Sequence, residues 1–456
     1  MTAVQRAAAL VDRDTLEPLP HDGAERTSLV AARGCIDGRD AVLVLTDGQQ
    51  RGGTLGVAES RRFTQALGVA ERRRSVVVVC WDTGGVRVQE GPPALAVTSA
   101  VGVALARLAL RGVRVVSVVS GPRGCFGAPA VIAAVGHATI LTANALWGLT
   151  GPQLLDVGAE TVEAARTVMG AAARRRSGHA SAVAADTPAA VRRAVRRVLA
   201  QPLRRSGGRQ MLDASVAATA RLVRQLPTPP DVAPARTRPR DFFAYSFRRQ
   251  WQPLGPSIRL DHVHAAWGEL AGSPAMAIIV GPERPHDGVG VADAHAVLQA
   301  VRLAVESSRR APAPIILFLF CRGHASTLRE ERAGLPRALA ECLRGLVGAR
   351  LLGHPMLCVL GGAAYGAAYL TLAAPCHRIL AIRGTSVAPM APRVLAAFQR
   401  LRGIRAAPDT PPDLARMIPE IRMVESVVRL PRALSDELTV ARRAAAQEQP
   451  ARRFAG

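Results

Sequence analysis

Trp81-Asp82-Thr83-Gly84-Gly85 closes an apolar run at 75–80, and Gly121-Pro122-Arg123-Gly124-Cys125-Phe126-Gly127 closes a second at 113–120. Both runs are short and rich in valine, so they read as buried parallel strands. Residues 94–111, between them, have the length and composition of a helix. Strand, helix and strand in that order make a parallel α/β unit. Glycines at the carboxyl ends of parallel strands let backbone N–H groups approach a ligand. Such amides hold an oxyanion without any special side chain.

The same order recurs later. Residues 315–320 read as a strand, 335–352 as a helix and 356–360 as a strand, followed by the turn 361–366 (GGAAYG), a helix and a strand at 378–382. Laying Gly366 on Gly127 also lays Ile379 on Ile140 and Leu380 on Leu141 without a gap. In both halves the glycine turn runs straight into an apolar helix, 128–135 and 367–374. The ordered series predicts an internal duplication of one α/β domain.

A chain of 456 residues suits two or three domains, and 49% apolar residues exclude general disorder. No apolar run reaches membrane-spanning length; 94–110 comes nearest and Arg107 interrupts it. The first twenty residues carry Asp and Glu and no apolar signal core, which predicts a cytoplasmic protein. Seven cysteines without a CxxC pair suggest reduced, packed thiols and no zinc site. Cys125 reads either as a nucleophile activated by a helix start or as a small residue filling a tight turn.

The net charge of +24 is carried by arginine alone, for the sequence contains no lysine. That excludes a Schiff-base lysine, a Walker lysine and a biotinylated lysine within this chain. The charge calls for acidic partners: nucleic acid, an acidic carrier protein or a CoA-like phosphate. Dispersed arginines, 4% aromatics and the lack of a binding motif argue against nucleic acid.

Residues 1–28 read as a loose arm, followed by a strand and turn at 40–48 and a glycine loop at 52–56 (GGTLG). Residues 160–205 read as solvated helices with arginine on the wet face. The proline-rich stretch 226–240 reads as a linker, dividing the chain into domains at 1–225 and 241–456. The last twenty residues read as a polar tail or a short helix.

A helix opening at Ala128 would leave the N–H groups of Gly127 and Ala128 pointing out at its positive end. Pro129 loses its own N–H where the loss is cheap. Gly366, Ala367 and Ala368 form the counterpart. Gly52, Gly53, Gly84 and Gly85 add glycine loops near the same edge, and Gly151, in 148–152 (GLTGP), closes the pocket. Arg87 reads either as a bidentate ligand for carboxylate or phosphate or as an ion-pair partner. Asp82 reads as a turn residue, and His137 and His377 as packing or capping residues at helix–strand junctions. Tyr365 and His324 are the candidates for handling a proton near the second turn. Arg61 and Arg62 are candidates for carrier or phosphate contacts. No Ser–His–Asp order and no metal-ligand cluster is visible.

The segments GGTLG, WDTGGVRVQE, GPRGCFG and GLTGP, followed by RGHASTLREERAG and HPMLCVLGGAAYGAAY, resemble the carboxyltransferase branch of the crotonase-like superfamily. Within it, residues 30–200 are similar to the β subunit of biotin-independent malonate decarboxylases and residues 245–430 to the γ subunit. The resemblance implies an α/β fold of two crotonase-like ββα spiral domains. It implies two facing oxyanion holes, on Gly127 and Ala128 and on Ala367 and Ala368. It further implies a malonyl thioester riding on the CoA-derived arm of an acyl carrier protein, an acyl-transferring subunit, a multisubunit assembly, and no covalently bound cofactor. The implied reaction is decarboxylation to the acetyl thioester. A biotin-dependent acyl-CoA carboxyltransferase component and a non-catalytic scaffold are the alternatives. Three departures bear on the site. Ala128 and Ala367 stand where the family often has glycine. Residues 387–390 (VAPM) replace a common His-Ala-Met run. The basic pattern that usually follows GLTGP is altered.

Overall fold

Unbroken valine and leucine runs cannot face water on either side, so they become central strands. The computed structural model describes residues 2–20, 27–155, 162–203, 208–226, 251–260, 262–270, 273–281, 288–308, 311–403 and 414–448. The expected linker at 226–240 lies, but for its first residue, outside them. The chain forms two compact units. The first comprises Met1–Arg205, Ser326–Ala340 and Ala396–Ala407; the second comprises Ser206–Ala325, Glu341–Leu395 and Pro408–Gly456.

The first unit holds β1 (Glu17–Pro18), β2 (Leu29–Ile36), β3 (Arg39–Thr46), β4 (Val76–Trp81), β5 (Val115–Val119), β6 (Ala138–Thr142) and β7 (Ala182–Ala184). They make one seven-stranded sheet in chain order. β1, β2 and β3 pair antiparallel, and β3 to β7 pair parallel. The second unit holds β8 (Trp251–Leu260), β9 (Val263–Leu270), β10 (Ser273–Val280), β11 (Ile315–Leu319), β12 (Met356–Leu360), β13 (Ala363–Tyr365), β14 (Arg378–Ile382), β15 (Ser386–Ala388) and β16 (Ile421–Val424). Seven of these form a sheet in the order β16-β14-β12-β11-β10-β9-β8, while β13 and β15 pair in a small second layer. The two units thus repeat one topology, an antiparallel hairpin leading into parallel strands, as the duplication predicts.

The repeat extends to details. The helix Val57–Arg73 starts at Gly56, whose N–H donates to Glu59 Oε2 at 3.2 Å; the helix Val291–Ser307 starts at Gly290, whose N–H donates to Asp293 Oδ2 at 2.9 Å. His137 and His377 each accept a strand N–H on Nδ1, from Val115 and Met356, both at 3.1 Å. They are structural, as expected.

One expectation is corrected by the strand registers. Val116 pairs with Ala138, and Leu357 with Arg378, so Leu380 rather than Ile379 matches Ile140. The extra residue between Gly366 and Arg378 is absorbed in a π-turn over Tyr369–Ala373, closed by the Ala374 N–H on the Tyr369 carbonyl at 3.0 Å.

Three further segments differ from expectation. The arm at 1–28 contains a helix, Ala3–Leu10, sealed by a Thr2–Gln5 capping box and buried on Ala3, Ala7 and Leu10. The C-terminal segment forms the 19-residue helix Leu430–Glu448, whose Leu430, Leu434, Leu438 and Ala441 join the core beneath β12 and β14. The helix Gly208–Val223 packs on Val291–Ser307 in the second unit, joined by Ser215 Oγ to Glu341 Oε2 at 2.8 Å and by Thr219 Oγ1 and His295 Nδ1 at 2.9 Å. Each presents an apolar helical stripe that only burial satisfies.

Among the described residues one stretch, Val88–Leu110, is long and apolar enough to cross a membrane by length and composition. It is longer than the sequence suggested because Gly91 and Pro92 already start the helix Gly91–Leu110. Its Leu95, Val101 and Leu105 are fully buried in the first unit.

Candidate functional site

In the first unit the loops leaving β3 to β6 are stitched together beyond the strand ends. The Leu55 N–H donates to the Gly85 carbonyl at 2.9 Å, that of Arg87 to Leu55 at 2.8 Å, and that of Gly84 to Gly52 at 3.0 Å. Thr83 donates to Gly124 at 2.8 Å and Cys125 to Leu146 at 3.0 Å. The predicted glycine loops therefore do meet at one edge. Gly53 has φ +63 and a Cβ there would overlap the Asp82 carbonyl oxygen, so only glycine fits.

Asp82 serves the turn. It accepts the Arg123 N–H on Oδ1 at 2.9 Å, and side chains at Gly48 or Gly121 would overlap its carboxylate. Burial pushes its pKa up. Cys125 is fully buried, and loss of water, reinforced by the Asp82 charge, pushes its thiol pKa well up. It is a packed turn residue, not an activated nucleophile.

Gly127 sits at φ +67, ψ −149 and caps the helix Ala128–Val135, all of whose residues are buried. The expected free Gly127 N–H is corrected here, because it donates to the Leu149 carbonyl at 2.9 Å. The Ala128 amide, at the first helical position, has no intrahelical acceptor and lies at the positive helix end. Gly85 packs beside Gly127: a Cβ on Gly127 would lie 3.6 Å from the Gly85 Cα. The Gly85 N–H is held by its own turn, on Thr83 Oγ1 at 3.1 Å.

Arg87 is corrected as a substrate ligand. Its guanidinium is buried and engaged by Glu59 at 2.9 Å, Glu90 at 2.7 Å and the Thr54 carbonyl at 2.9 Å. Hydrogen bonds and charge from Arg87 outweigh desolvation and hold Glu59 below its usual range. Arg87 therefore braces the glycine loop instead of facing a ligand. Arg61 is exposed on the helix Val57–Arg73, while Arg62 is half-buried and donates to the Leu19 carbonyl at 3.3 Å. Gly151 is partly exposed, with open space around its Cα.

Sequence reasoning missed Arg174 and Glu331. Arg174 belongs to a run of three arginines expected on a wet face, yet it is 1% exposed. Its Nη2 donates to Glu331 Oε2 at 2.6 Å and its Nε to the Trp147 carbonyl at 2.9 Å. Glu331 Oε1 accepts the N–H groups of Leu149 at 2.6 Å and Thr150 at 3.0 Å. Nothing local separates Arg174 from Arg175 and Arg176 in the sequence.

In the second unit Gly366 has φ +50, and a Cβ there would lie 2.9 Å from the Pro389 carbonyl oxygen and 3.7 Å from His324 Nδ1. The VAPM stretch thus lies against the second glycine turn, where Tyr365 pairs with Ala388. Ala367 and Ala368 are fully buried, with their first-turn amides at the helix start. His324 is brought to this turn, and burial pushes its pKa down to about 4, so it is neutral near pH 7. Gly127 and Gly366 belong to different units. Among the described residues no cluster of three or more His, Cys, Asp or Glu could hold a metal ion.

A family model for the carboxyl transferase domain matches residues 2–418. The chain belongs to the carboxyl transferase family. Acetyl-coenzyme A carboxylase carboxyl transferase subunit beta of Hyphomonas neptunium is 32% identical over 153 residues, covering 33% of this chain and 46% of that protein. The subunit of the same name from Desulfitobacterium hafniense is 31% identical over 144 residues, covering 30% and 47%. The chain thus spans about half the length of these curated relatives. Among solved structures, the Pseudomonas malonate decarboxylase MdcD-MdcE hetero-dimer matches at 32% identity and TM-score 0.42, over 48% of this chain and 95% of that one. The transcarboxylase 12S hexamer matches at 18% identity and TM-score 0.40, over 100% and 92%. In open α/β sheets ligands bind in the crevice at the carboxyl ends of the strands, which is where the glycine turns lie.

Proposed function

We propose that the protein decarboxylates a malonyl thioester carried by an acyl carrier protein, yielding the acetyl thioester. The observation that carries this reading is the Gly127–Ala128 turn, where a buried helix start presents a backbone amide beside the glycine backbone of Gly85. The bond between the malonyl methylene carbon and its carboxylate breaks, releasing carbon dioxide. The electron pair moves onto the thioester carbonyl, making an enolate, and water protonates the carbon. The enolate oxygen is the charge to be stabilised, and the Ala128 amide at the positive helix end suits it. The second turn, Gly366 to Ala368, is the equivalent turn of the second unit. Neutral His324 beside it serves as a hydrogen-bond partner and not as a carrier of positive charge.

The substrate arm comes from outside the chain, as does the subunit that loads malonate. We assign the protein to a cytoplasmic multisubunit complex, with exposed arginines such as Arg61 meeting the phosphate of the arm. The names of the curated relatives favour a second reading, carboxyl transfer; we infer biotin on a separate carrier as its acceptor, since this chain has no lysine to carry biotin. Incubation with malonyl carrier protein, with and without free biotin, separates the two. Acetyl thioester without biotin supports decarboxylation. Product only with biotin, as carboxybiotin, supports transfer. Absence of both, with cognate partners present, overturns the catalytic reading.

A further inference from the structure

We propose that Glu331 is a positioning residue for the acyl-binding turn at Gly127, with Arg174 as its partner; this rests on reading that turn as the thioester site. The linkage runs through one peptide group. The Thr150 N–H donates to Glu331 Oε1 at 3.0 Å, and the carbonyl of that same peptide, on Leu149, accepts the Gly127 N–H at 2.9 Å. The Leu149 N–H adds a second bond to the carboxylate at 2.6 Å. Rotating the Leu149–Thr150 peptide would break the bonds on both sides. A charged acceptor on its N–H also polarises the carbonyl that holds Gly127.

Arg174 fixes the carboxylate in turn. Its Nη2 holds Glu331 Oε2 at 2.6 Å, its Nη1 donates to the Glu331 carbonyl, and its Nε holds the Trp147 carbonyl at 2.9 Å. The guanidinium also lies over the Trp147 ring, 5.8 Å from its centre. The two side chains are 2% and 0% exposed. A buried ion pair is rarely more stabilising than apolar residues of like volume, so stability alone does not explain it. Placement of the 149–150 peptide does.

Glu331 is supplied from far away, 182 positions along the chain from Leu149. It rides on the short helix Leu328–Ala333, begun by Thr327 and ended at Gly334, which has φ +89. A Cβ on Gly334 would lie 2.6 Å from His179 Nε2, so the segment seats closely in the first unit. The first glycine turn is therefore completed by a piece of the second half of the sequence.

Two double variants of the full chain test this, Glu331→Leu with Arg174→Met and Glu331→Gln with Arg174→Met. Both remove the charges at similar volume, but only glutamine keeps an acceptor for the two amides. The Leu/Met chain is expected to decarboxylate malonyl carrier protein at least about tenfold more slowly in kcat than the Gln/Met chain, with KM within about threefold, as for loss of alignment. Hydrogen exchange at Gly127, Leu149 and Thr150 should be faster in the Leu/Met chain at equal melting temperature. Equal turnover and equal exchange in the two chains would overturn the assignment. Should the Leu/Met chain not fold, Glu331→Asp replaces it. Its shortened carboxylate should speed exchange at Gly127 and lower kcat, and wild-type values for both would refute the role. If the wild type does not decarboxylate, the exchange measurement still decides whether Glu331 places the turn.

Discussion

Replacing Gly127 by alanine isolates the conformation of the first turn. Gly127 has φ +67 and ψ −149, a region that side-chain-bearing residues essentially never occupy. Space is not the obstacle, because a Cβ there would meet the Gly85 Cα at 3.6 Å and the Pro129 Cδ at 3.9 Å. The cost is backbone strain, about 1–3 kcal/mol. In domains of this size that corresponds to roughly 2–4 °C of melting temperature per kcal/mol. If the backbone relaxes, the Gly127–Leu149 hydrogen bond opens and the Ala128 amide turns from its direction. Loss of one aimed oxyanion donor costs about a hundred- to a thousandfold in kcat, so a partial turn should cost at least about tenfold. Gly38→Ala is the control. Gly38 has φ +70 with nothing within 4 Å of a Cβ, and it lies in the β2–β3 hairpin at the opposite ends of the strands. Acetyl-thioester formation from malonyl carrier protein is measured beside thermal melting. Gly127→Ala should lose turnover well beyond its loss of stability, and Gly38→Ala should lose stability alone. Equal turnover in the two variants would refute the acyl-binding role of the turn.

Arg87→Ala leaves the buried Glu59 without its cation and should cost about 3–5 kcal/mol in denaturant unfolding; a changed KM at unchanged stability would instead return Arg87 to the substrate. His377 titrates at about 4 in the fold, through desolvation first and the Arg350 charge second, against about 6.5 unfolded. Between these values the unfolded chain holds the extra proton, so stability should fall as pH drops from 6.5 towards 4, by up to about 3 kcal/mol. His377→Asn, which keeps an acceptor for the Met356 N–H, should remove that share of the pH slope; an unchanged slope would contradict it. Binding of malonyl carrier protein should weaken several-fold between about 50 and 500 mM salt, and Arg61→Gln should flatten the dependence; affinity indifferent to salt would mark the arginine excess as compositional.

The two turns were legible because they depend on residue type at one place. Valine runs ending in glycine allow little besides a buried strand and a close-approach loop, and the order of these pieces marks the duplication. The paired histidines were legible as structural from their matching junctions. The exact register was not. Gly366 and Ile379 align with Gly127 and Ile140 letter by letter, yet a π-turn at Tyr369–Ala373 absorbs one residue, and only the strand ladders reveal it.

Side-chain roles needed the fold. Arg87 offers the same guanidinium to a substrate or to Glu59 and Glu90, and its sequence neighbours do not decide between them. Arg174 stands in a run of three like residues, and only tertiary burial singles it out. By itself the sequence determined the strand–glycine-turn–helix units, since backbone sterics and apolar patterning act within a few residues. The tertiary structure alone decided which amides are engaged, as at Gly127, and which charges are paired, as at Glu331, because those partners come from segments far apart in the chain.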